Sequence, residues 1–230
     1  MVTCQQSSRS FLVRVYQGPG IEIGALYNPV FVREGVQVKY VDWETADVMR
    51  EQLRLVEEVK DAPLVNVDIL EDGMTLASIA ESSQEFIIAN HFLEHVQDLS
   101  APSKHLALLN TNGILFYGIP DKRYTFDKER PVTSLEHLVK DHEEGPAWSL
   151  LDHVKEYLAL VEHKTGIEAE DRVKELAAQP KVSVHFHVWT IDEVTEIFTA
   201  LRQRYQLPYV IEAIACNRPM VEAICVLRKV

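Results

Sequence analysis

The run Gly20-Ile21-Glu22-Ile23-Gly24-Ala25-Leu26-Tyr27-Asn28-Pro29 decides the fold, because it is an apolar, strand-like stretch that ends in a glycine and a turn. Two later stretches have the same form: residues 38–42 end in Asp42, and residues 64–68 end in Asp68. In an open parallel sheet, ligands bind outside the carboxyl ends of the strands. The three runs therefore predict three strands whose polar ends form one edge of a nucleotide-type pocket.

The order of the predicted elements is typical of a doubly wound α/β protein. A helix over residues 45–59 follows the second strand, and a strand at 86–89, a helix at 102–109 and a strand at 114–119 continue the alternation. Right-handed crossovers turn this order into a parallel sheet. Two last strands, 209–216 and 221–230, are joined by a turn so short that they must be antiparallel. The expected fold is a Rossmann-like sheet of seven strands, mostly parallel, with a C-terminal antiparallel hairpin.

Two connections depart from a simple alternation of strands and helices. Residues 25–37 are too few for a crossover helix, and Pro29 and Gly35 indicate a loop. Residues 121–187 are rich in charge and have helical apolar spacing. The capping-box pattern Thr133-Ser134-Leu135-Glu136 predicts a helix to His142, and further helices are predicted at 150–161 and 167–178. We interpret 121–187 as a helical insertion that caps the pocket of a single domain spanning residues 1–230.

Composition restricts the classes of function. The chain has 230 residues, 47% of them hydrophobic, which is enough for one domain with a sizeable core. Its net charge of -12 argues against nucleic acid or an anionic membrane as the main partner. Cys4, Cys216 and Cys225 form no Cys-x-x-Cys pair. Without a signal-like N-terminus or an apolar run of membrane length, the expected location is the cytoplasm.

These strand ends, together with the run Phe86-Ile87-Ile88-Ala89-Asn90-His91-Phe92-Leu93-Glu94-His95-Val96, resemble the class I S-adenosylmethionine-dependent methyltransferases. The resemblance covers roughly the first 120 residues and the final 40. It implies S-adenosylmethionine as the cofactor. It also implies that the Gly24 loop lies along the methionine part, that Asp42 grips the ribose hydroxyls and that Asp68 faces the adenine. The turn from Asn90 to His95 would face the methyl-transfer centre.

The predicted cofactor-binding residues are Glu22, Gly24, Asp42, Asp68, Asn90 and His91. Glu22 lies inside a strand, so its carboxylate needs a partner, which is either backbone donors near Gly24 or the ammonium group of the cofactor. The alternative role of Asp42 is that of a turn or helix-cap residue, because the next helix begins close behind it.

Glu94 and His95 are the predicted catalytic residues. A hydroxyl acceptor must lose a proton, and either side chain can act as the general base. An amine acceptor would need only a neutral lone pair. No metal site is predicted, because the run from His91 to His95 has its glutamate in fourth place, whereas the zinc motif His-Glu-x-x-His has it in second place.

The expected function is methyl transfer from S-adenosylmethionine to a small-molecule or saccharide-like acceptor. A nicotinamide-dependent Rossmann oxidoreductase is one alternative, since it also has an acid after its second strand, although its Gly-x-Gly-x-x-Gly is absent here. A catalytically silent cofactor-binding module is another alternative. It is indicated by the single glycine of the run 24–28, where the methyltransferases usually have Gly-x-Gly-x-Gly. The sequence leaves the oligomeric state open.

Overall fold

A computed structural model of the chain describes residues 18–54, 57, 59–177, 184–217 and 221–230. The described strands are β1 (Pro19–Ile23), β2 (Gln37–Asp42), β3 (Ile69–Leu70), β4 (Gln84–Asn90), β5 (Leu109–Pro120), β6 (Tyr209–Asn217) and β7 (Glu222–Lys229). They form one sheet in the order β3-β2-β1-β4-β5-β7-β6. The first five strands run parallel, and β7 is antiparallel to both β5 and β6. The predicted mostly parallel sheet with an antiparallel C-terminal hairpin is therefore confirmed.

The described α-helices are α1 (Ala46–Leu53), α2 (Ala101–Leu108), α3 (Leu135–Glu144), α4 (Leu150–Leu160), α5 (Gly166–Ala177) and α6 (Ile191–Tyr205). α3, α4 and α5 come from the segment that the sequence predicted to be helical. α1 is shorter than the helix predicted over 45–59, of which residues 55, 56 and 58 lie outside the described part of the chain. Within the described residues, no helix has both the length and the apolar character needed to cross a membrane.

The sheet is buried on both faces by alternating side chains. Along β4, Ile87 and Ala89 pack into one apolar cluster with residues of α2 and α6, whereas Phe86 and Ile88 pack into a second cluster with Val30. Burial on both faces explains why β4 is a continuous apolar run, as is usual for a central parallel strand. This packing fixes the carboxyl ends of β1, β2 and β4 side by side.

The third strand lies later in the sequence than residues 64–68, so that prediction was wrong. Asp68 precedes β3, and its Oδ2 accepts a hydrogen bond from the amide of Tyr40 at 2.9 Å. The amide of Tyr40 on β2 is thus bonded to a side-chain oxygen where a backbone carbonyl would be usual. The regular hydrogen-bond ladder between β2 and β3 begins only at the pair Val41 and Ile69. The acids that follow the strand are Glu71 and Asp72.

β5 is longer than the predicted strand 114–119, because the turn-like residues Asn110-Thr111-Asn112-Gly113 belong to the strand. Gln84 pairs with Leu109 and Phe86 with Ile114, so the β5 side carries extra residues at this point. Asn112 has φ 68°, the left-handed conformation that asparagine tolerates better than most residues. The turn-like residues therefore form a bulge at the start of a longer strand.

The connection between β1 and β2 is a loop, as predicted, since residues 24–36 are all described and contain no helix. Both carboxylate oxygens of Glu22 accept hydrogen bonds from the amide of Val30, at 3.0 and 3.1 Å. The Val30 side chain is also buried. The hydrogen bonds to Glu22 and the burial of Val30 together hold the loop against β1.

Helix caps confirm one sequence pattern and shift another. The sequence Thr190-Ile191-Asp192-Glu193 also has the capping-box pattern, which predicts a helix start there. The structure confirms it, since Thr190 and Glu193 form the box at the start of α6. At α3 the cap is Ser134, whose side chain accepts from the His137 amide. Thr133 is not available for that role, because its hydroxyl accepts a hydrogen bond from the amide of Val188.

We expect Thr190→Ala to lower the free energy of unfolding by about 1 kcal/mol, because two orphan donors at the start of α6 lose their acceptors. Chemical denaturation monitored by circular dichroism measures this loss. Thr199→Ala is the matched control, since the Thr199 hydroxyl bonds only to a carbonyl on the exposed side of the same helix. Equal losses in both variants would contradict a capping role for Thr190.

Candidate functional site

The carboxyl edge of the parallel strands brings most of the predicted residues together. Ile23 pairs with Val41 on one side and with Ala89 on the other, so Gly24, Asp42 and Asn90 occupy matching positions on three neighbouring strand ends. Such an edge is where open α/β sheets bind their ligands.

Gly24 directly follows β1 and has the left-handed backbone conformation, with φ 65°. A Cβ added at this position would meet no atom of the described residues within 4 Å. The Gly24 amide donates to the carbonyl of Val41, so the turn is fixed against β2. The result is a bare, rigid stretch of backbone that a ligand can approach closely.

Asp42 is buried at the end of β2. Its Oδ1 accepts from the amide of Trp43, and its carbonyl accepts from the amide of Glu71, which ties the ends of β2 and β3 together. It does not cap α1, because the side chain that accepts from the first turn of that helix belongs to Thr45. The structure therefore removes the helix-cap alternative for Asp42.

Two predicted cofactor-binding residues have structural contacts elsewhere. Glu22 is buried on β1 and holds the Val30 amide. Asp68 bonds to Tyr40, which lies two residues before Asp42 and so about 7 Å back from the strand end. Of the acids that do follow β3, Glu71 accepts from both the amide and the hydroxyl of Ser78.

Asn90 ends β4 with its side-chain amide buried, and neither Oδ1 nor Nδ2 has a hydrogen-bond partner among the described residues. Gly118 lies opposite Asn90 on β5, and a Cβ there would come within 2.5 Å of Asn90 Oδ1. A glycine is therefore needed to leave room for this amide. Buried amides rarely remain unpaired, so Asn90 is a candidate for contact with a ligand.

His91 follows in the left-handed region, with φ 50°. Its amide donates to the carbonyl of Gly118, and its Nε2 lies 2.9 Å from Oε2 of the buried Glu222. The imidazole is 41% exposed and so faces the outside of the edge. The strained turn at His91 directs the chain into the short 3-10 turn Leu93–His95.

Glu94 is the most unusual group of the site. Its side chain is 1% exposed, and within the described parts of the chain neither carboxylate oxygen has a hydrogen-bond partner. Burial raises the pKa of Glu94, and the neighbouring rings of His91 and His185 oppose this rise only in part. A buried carboxylate without a hydrogen-bond donor costs folding free energy. Groups in such an environment often have a function, so Glu94 is a candidate functional residue.

His95 and His185 stand beside Glu94 in a compact group. One nitrogen or oxygen atom from each of the three side chains lies within 4.8 Å of the others, and the two imidazoles meet edge to face at 4.7 Å between centroids. His95 Nδ1 lies 3.0 Å from the carbonyl of Val184, which makes Nδ1 the donor and leaves Nε2 as the acceptor. Burial and the adjacent His185 lower the pKa of His95 to about 4, so its ring is neutral at pH 7.

A buried ion-pair network supports His185 from behind. Asp127 Oδ2 lies 2.7 Å from His185 Nδ1, and Asp127 Oδ1 accepts from Arg130 Nη1 at 2.8 Å. Burial alone would raise the pKa of Asp127, but hydrogen bonds from His185 and Arg130 outweigh burial and hold the pKa below its ordinary value. Arg130 also donates to Glu156 and to the carbonyls of His185 and Phe186.

Sequence reasoning missed Asp127 and Arg130 altogether. It related His185 only to His187, because the two histidines alternate as they would on a strand. Residues 184–189 do not form a strand in the structure, so that interpretation was wrong. They form an extended connecting segment whose Phe186 amide donates to the carbonyl of Glu94 at 2.7 Å. The dense charge of 121–187 was the available signal, because buried charges occur in pairs.

Comparisons with known proteins give structural neighbours alone. No model of a protein family matches the sequence, and no curated protein matches it. Geranyl diphosphate C-methyltransferase from Streptomyces coelicolor A3(2), in complex with Mg²⁺, geranyl diphosphate and S-adenosyl-L-homocysteine, matches with TM-score 0.51 and 12% identity over 98% of this chain and 79% of that chain. The methyltransferase in complex with the Haloferax volcanii Trm112 activator matches with TM-score 0.51 and 9% identity over 97% and 89%.

A possible exported protein from Bordetella parapertussis matches with TM-score 0.47 and 10% identity, and this chain spans 65% of its length. At sequence identities this low, structural similarity shows the fold alone and does not show the activity or the substrate. The two likenesses at TM-score 0.51 span 98% and 97% of this chain. The chain has the fold of the class I S-adenosylmethionine-dependent methyltransferases.

Proposed function

We propose that the protein transfers a methyl group from S-adenosylmethionine to a hydroxyl group of a small-molecule or saccharide-like acceptor. The observation that carries the proposal is the buried carboxylate of Glu94 at the turn after β4. Among the described residues it has no hydrogen-bond partner, and its nearest charged contact is His91 Nδ1, 3.7 Å from Oε1. It lies next to the edge where Gly24, Asp42 and Asn90 meet, and this edge is where a cofactor would bind.

The residues at the edge fit the cofactor. The open backbone at Gly24 suits the methionine part, and the buried Asp42 carboxylate suits a ribose diol. The Asn90 amide has both a donor and an acceptor to offer. When bound, S-adenosylmethionine supplies an activated methyl group on a cationic sulfonium.

Between the two predicted catalytic residues, the structure favours Glu94 as the general base. A base works best when its pKa is near the operating pH. Burial moves the pKa of Glu94 upward, toward neutrality, whereas the pKa of His95 falls to about 4, away from it. His95 Nε2 and the Asp127-supported His185 then position the acceptor hydroxyl beside the carboxylate.

Aromatic side chains near this group favour an acceptor with a flat or ring-shaped face. Phe126 is 53% exposed and lies 4.8 Å from the His185 ring, centroid to centroid. Tyr124 is also exposed two residues earlier. An exposed aromatic platform beside hydrogen-bonding groups is typical of pockets for small, partly apolar ligands. Trp189, by contrast, is buried in the core and does not contribute to such a platform.

The nicotinamide alternative fits the sheet less well. A dinucleotide-binding Rossmann sheet has the strand order 3-2-1-4-5-6. In this chain β7 enters between β5 and β6 and runs antiparallel to both. The silent-module alternative shares the fold, so only turnover separates it from an enzyme.

We expect S-adenosylhomocysteine to raise the melting temperature by roughly 5 to 10 °C at 100 times its dissociation constant, and NAD to leave it unchanged. A ligand at that concentration stabilises the folded state by about 2.7 kcal/mol. For a chain of this size, each 1 kcal/mol raises the melting temperature by about 2–4 °C. Differential scanning fluorimetry measures both ligands. A shift with NAD and none with S-adenosylhomocysteine would favour the oxidoreductase.

Asp42→Asn and Asp68→Asn form a matched pair for the same experiment. Asp42→Asn should lower the affinity for S-adenosylhomocysteine by about 10-fold or more, since a hydrogen bond to a charged group contributes about 1.5–3 kcal/mol. Asp68→Asn should leave the affinity unchanged, because its carboxylate faces Tyr40. Tight binding without turnover across a broad panel of hydroxyl acceptors would favour the silent module.

A further inference from the structure

Four side chains outside the sheet edge converge on one point beneath α3 and α4. His137 Nε2 lies 3.1 Å from Asp141 Oδ2, and His187 Nε2 lies 3.1 Å from the same oxygen. His153 Nε2 lies 3.0 Å from His137 Nε2. All four atoms lie within 4.8 Å of one another.

Three separate elements supply these side chains. His137 and Asp141 are four residues apart on α3 and therefore share one face of the helix. His153 comes from the first turn of α4, and His187 comes from the connecting segment 184–189. Asp141, His153 and His187 are buried, and His137 is half-buried beneath Trp148. The cluster thus closes the junction between two helices and an otherwise irregular segment.

Hydrogen bonds cannot account for all of these contacts. A neutral imidazole has one N–H and one lone pair. His137 Nε2 faces both Asp141 Oδ2 and His153 Nε2, yet a single N–H can point at only one of them. Charging the rings would place cations against each other inside a cluster in which Asp141, His153 and His187 are all buried. Three lone pairs and a carboxylate facing a common centre are a ligand set for a cation.

The donor set and the spacing select zinc. Imidazole nitrogen with carboxylate oxygen is typical of zinc, which binds both at about 2.0–2.2 Å in a tetrahedron. The edge of such a tetrahedron is about 3.3–3.4 Å, so contacts of 3.0 and 3.1 Å need to open by only a few tenths of an ångström. With four protein ligands, three of them buried, the set resembles closed structural sites and not catalytic ones.

We propose that His137, Asp141, His153 and His187 bind one structural zinc ion, which fastens α3 and α4 to the segment 184–189. Ser149 supports the site from outside by donating its hydroxyl to Asp141 Oδ1 at 2.8 Å, which orients the ligating carboxylate. Because Phe186 and His185 precede His187 on the same segment, the ion also holds the segment that contacts Glu94. The proposal stands independently of methyl transfer.

The test uses the untagged full-length chain, incubated with zinc sulfate, passed through a desalting column and analysed by plasma mass spectrometry. We expect about one zinc ion per chain. Chelation with EDTA should lower the melting temperature by at least about 5 °C, and zinc but not magnesium should restore it. Because this part needs no variant, it remains decisive even if the substitutions impair folding.

Variants then locate the ion. His153→Gln and Asp141→Asn should retain less than about a tenth of the wild-type zinc. His163→Asn is the control, because His163 is exposed in the same helical region. Wild-type protein that holds no zinc and melts identically with EDTA would overturn the proposal and leave a hydrogen-bonded cluster. Zinc that survives His153→Gln but is lost in His185→Gln would overturn it in favour of the group formed by Glu94, His95 and His185.

Discussion

Replacing Glu94 with glutamine should reduce turnover by about 100- to 10,000-fold, the usual contribution of a general base. The amide has the same shape but cannot take the acceptor proton. S-adenosylhomocysteine affinity should stay near the wild-type value, because Gly24, Asp42 and Asn90 are unchanged. The measurement is S-adenosylhomocysteine release with a hydroxyl acceptor, together with ligand titration of the same preparation.

The pH dependence of the wild-type enzyme follows from the raised pKa of Glu94. The base is active when ionised, so the rate should fall as pH drops through a pKa above the ordinary carboxyl range. The stability of the fold changes with pH in the opposite direction to the rate. A carboxyl whose pKa is raised in the folded state stabilises the fold below its unfolded pKa, and this contribution is lost as pH rises. Glu94→Gln should therefore melt higher than wild type at pH 8, with a smaller difference at pH 4.

His95→Gln is the matched control for Glu94. Its pKa near 4 makes His95 a weak base at neutral pH, so the variant should lose less turnover than Glu94→Gln. A larger loss in His95→Gln, with Glu94→Gln near the wild-type rate, would move the base to His95. Loss of cofactor affinity in Glu94→Gln would assign Glu94 to binding instead.

Arg130→Met should have the largest effect on stability in the described structure. Arg130 is 2% exposed, and its guanidinium donates to Asp127, Glu156 and two carbonyls of the connecting segment. Removing one partner of a buried ion pair costs about 3–5 kcal/mol, since the other charge stays buried. For a chain of this size the loss corresponds to roughly 6 to 20 °C in melting temperature. Differential scanning calorimetry measures it.

Arg204→Met is the control for Arg130. Arg204 donates to Glu143 through two nitrogens, but both side chains are about half exposed, so solvent screens the pair. The melting temperature should hardly change in this variant. If Arg130→Met were equally harmless, the network behind His185 would not be important for folding. Arg130→Lys tests the geometry, because an ammonium group cannot reproduce the guanidinium fork.

The fold was predictable because its signals are local. Apolar runs that end in Gly24, Asp42 and Asn90 reflect strands buried on both faces, and the short last turn required an antiparallel hairpin. Asp68 misled the prediction because an acid after an apolar run looks the same whether it ends a strand or replaces a backbone acceptor beside one. Only its distance to Tyr40 distinguishes the two roles.

The candidate site was predictable only in part, because its support comes from distant residues. Glu94 and His95 follow a strand and can be found from the chain itself. Asp127 meets His185 across 58 positions, and Arg130 meets the carbonyl of His185 across 55, so no spacing motif relates them. Burial of charge is a property of the folded packing, and the acids of 121–187 look like solvated surface until that packing is known.

The short third strand also protects one of the two edges of the sheet from other chains. An open sheet edge exposes unpaired amides and carbonyls that can recruit a strand from another molecule, which is a route to aggregation. β3 is only two residues long, and immediately before it the Asp68 carboxylate occupies the amide of Tyr40. An incoming strand would have to displace a charged acceptor and would find little regular backbone to follow. A residue that resembled a cofactor ligand in the sequence thus hinders strand addition at this edge of the sheet.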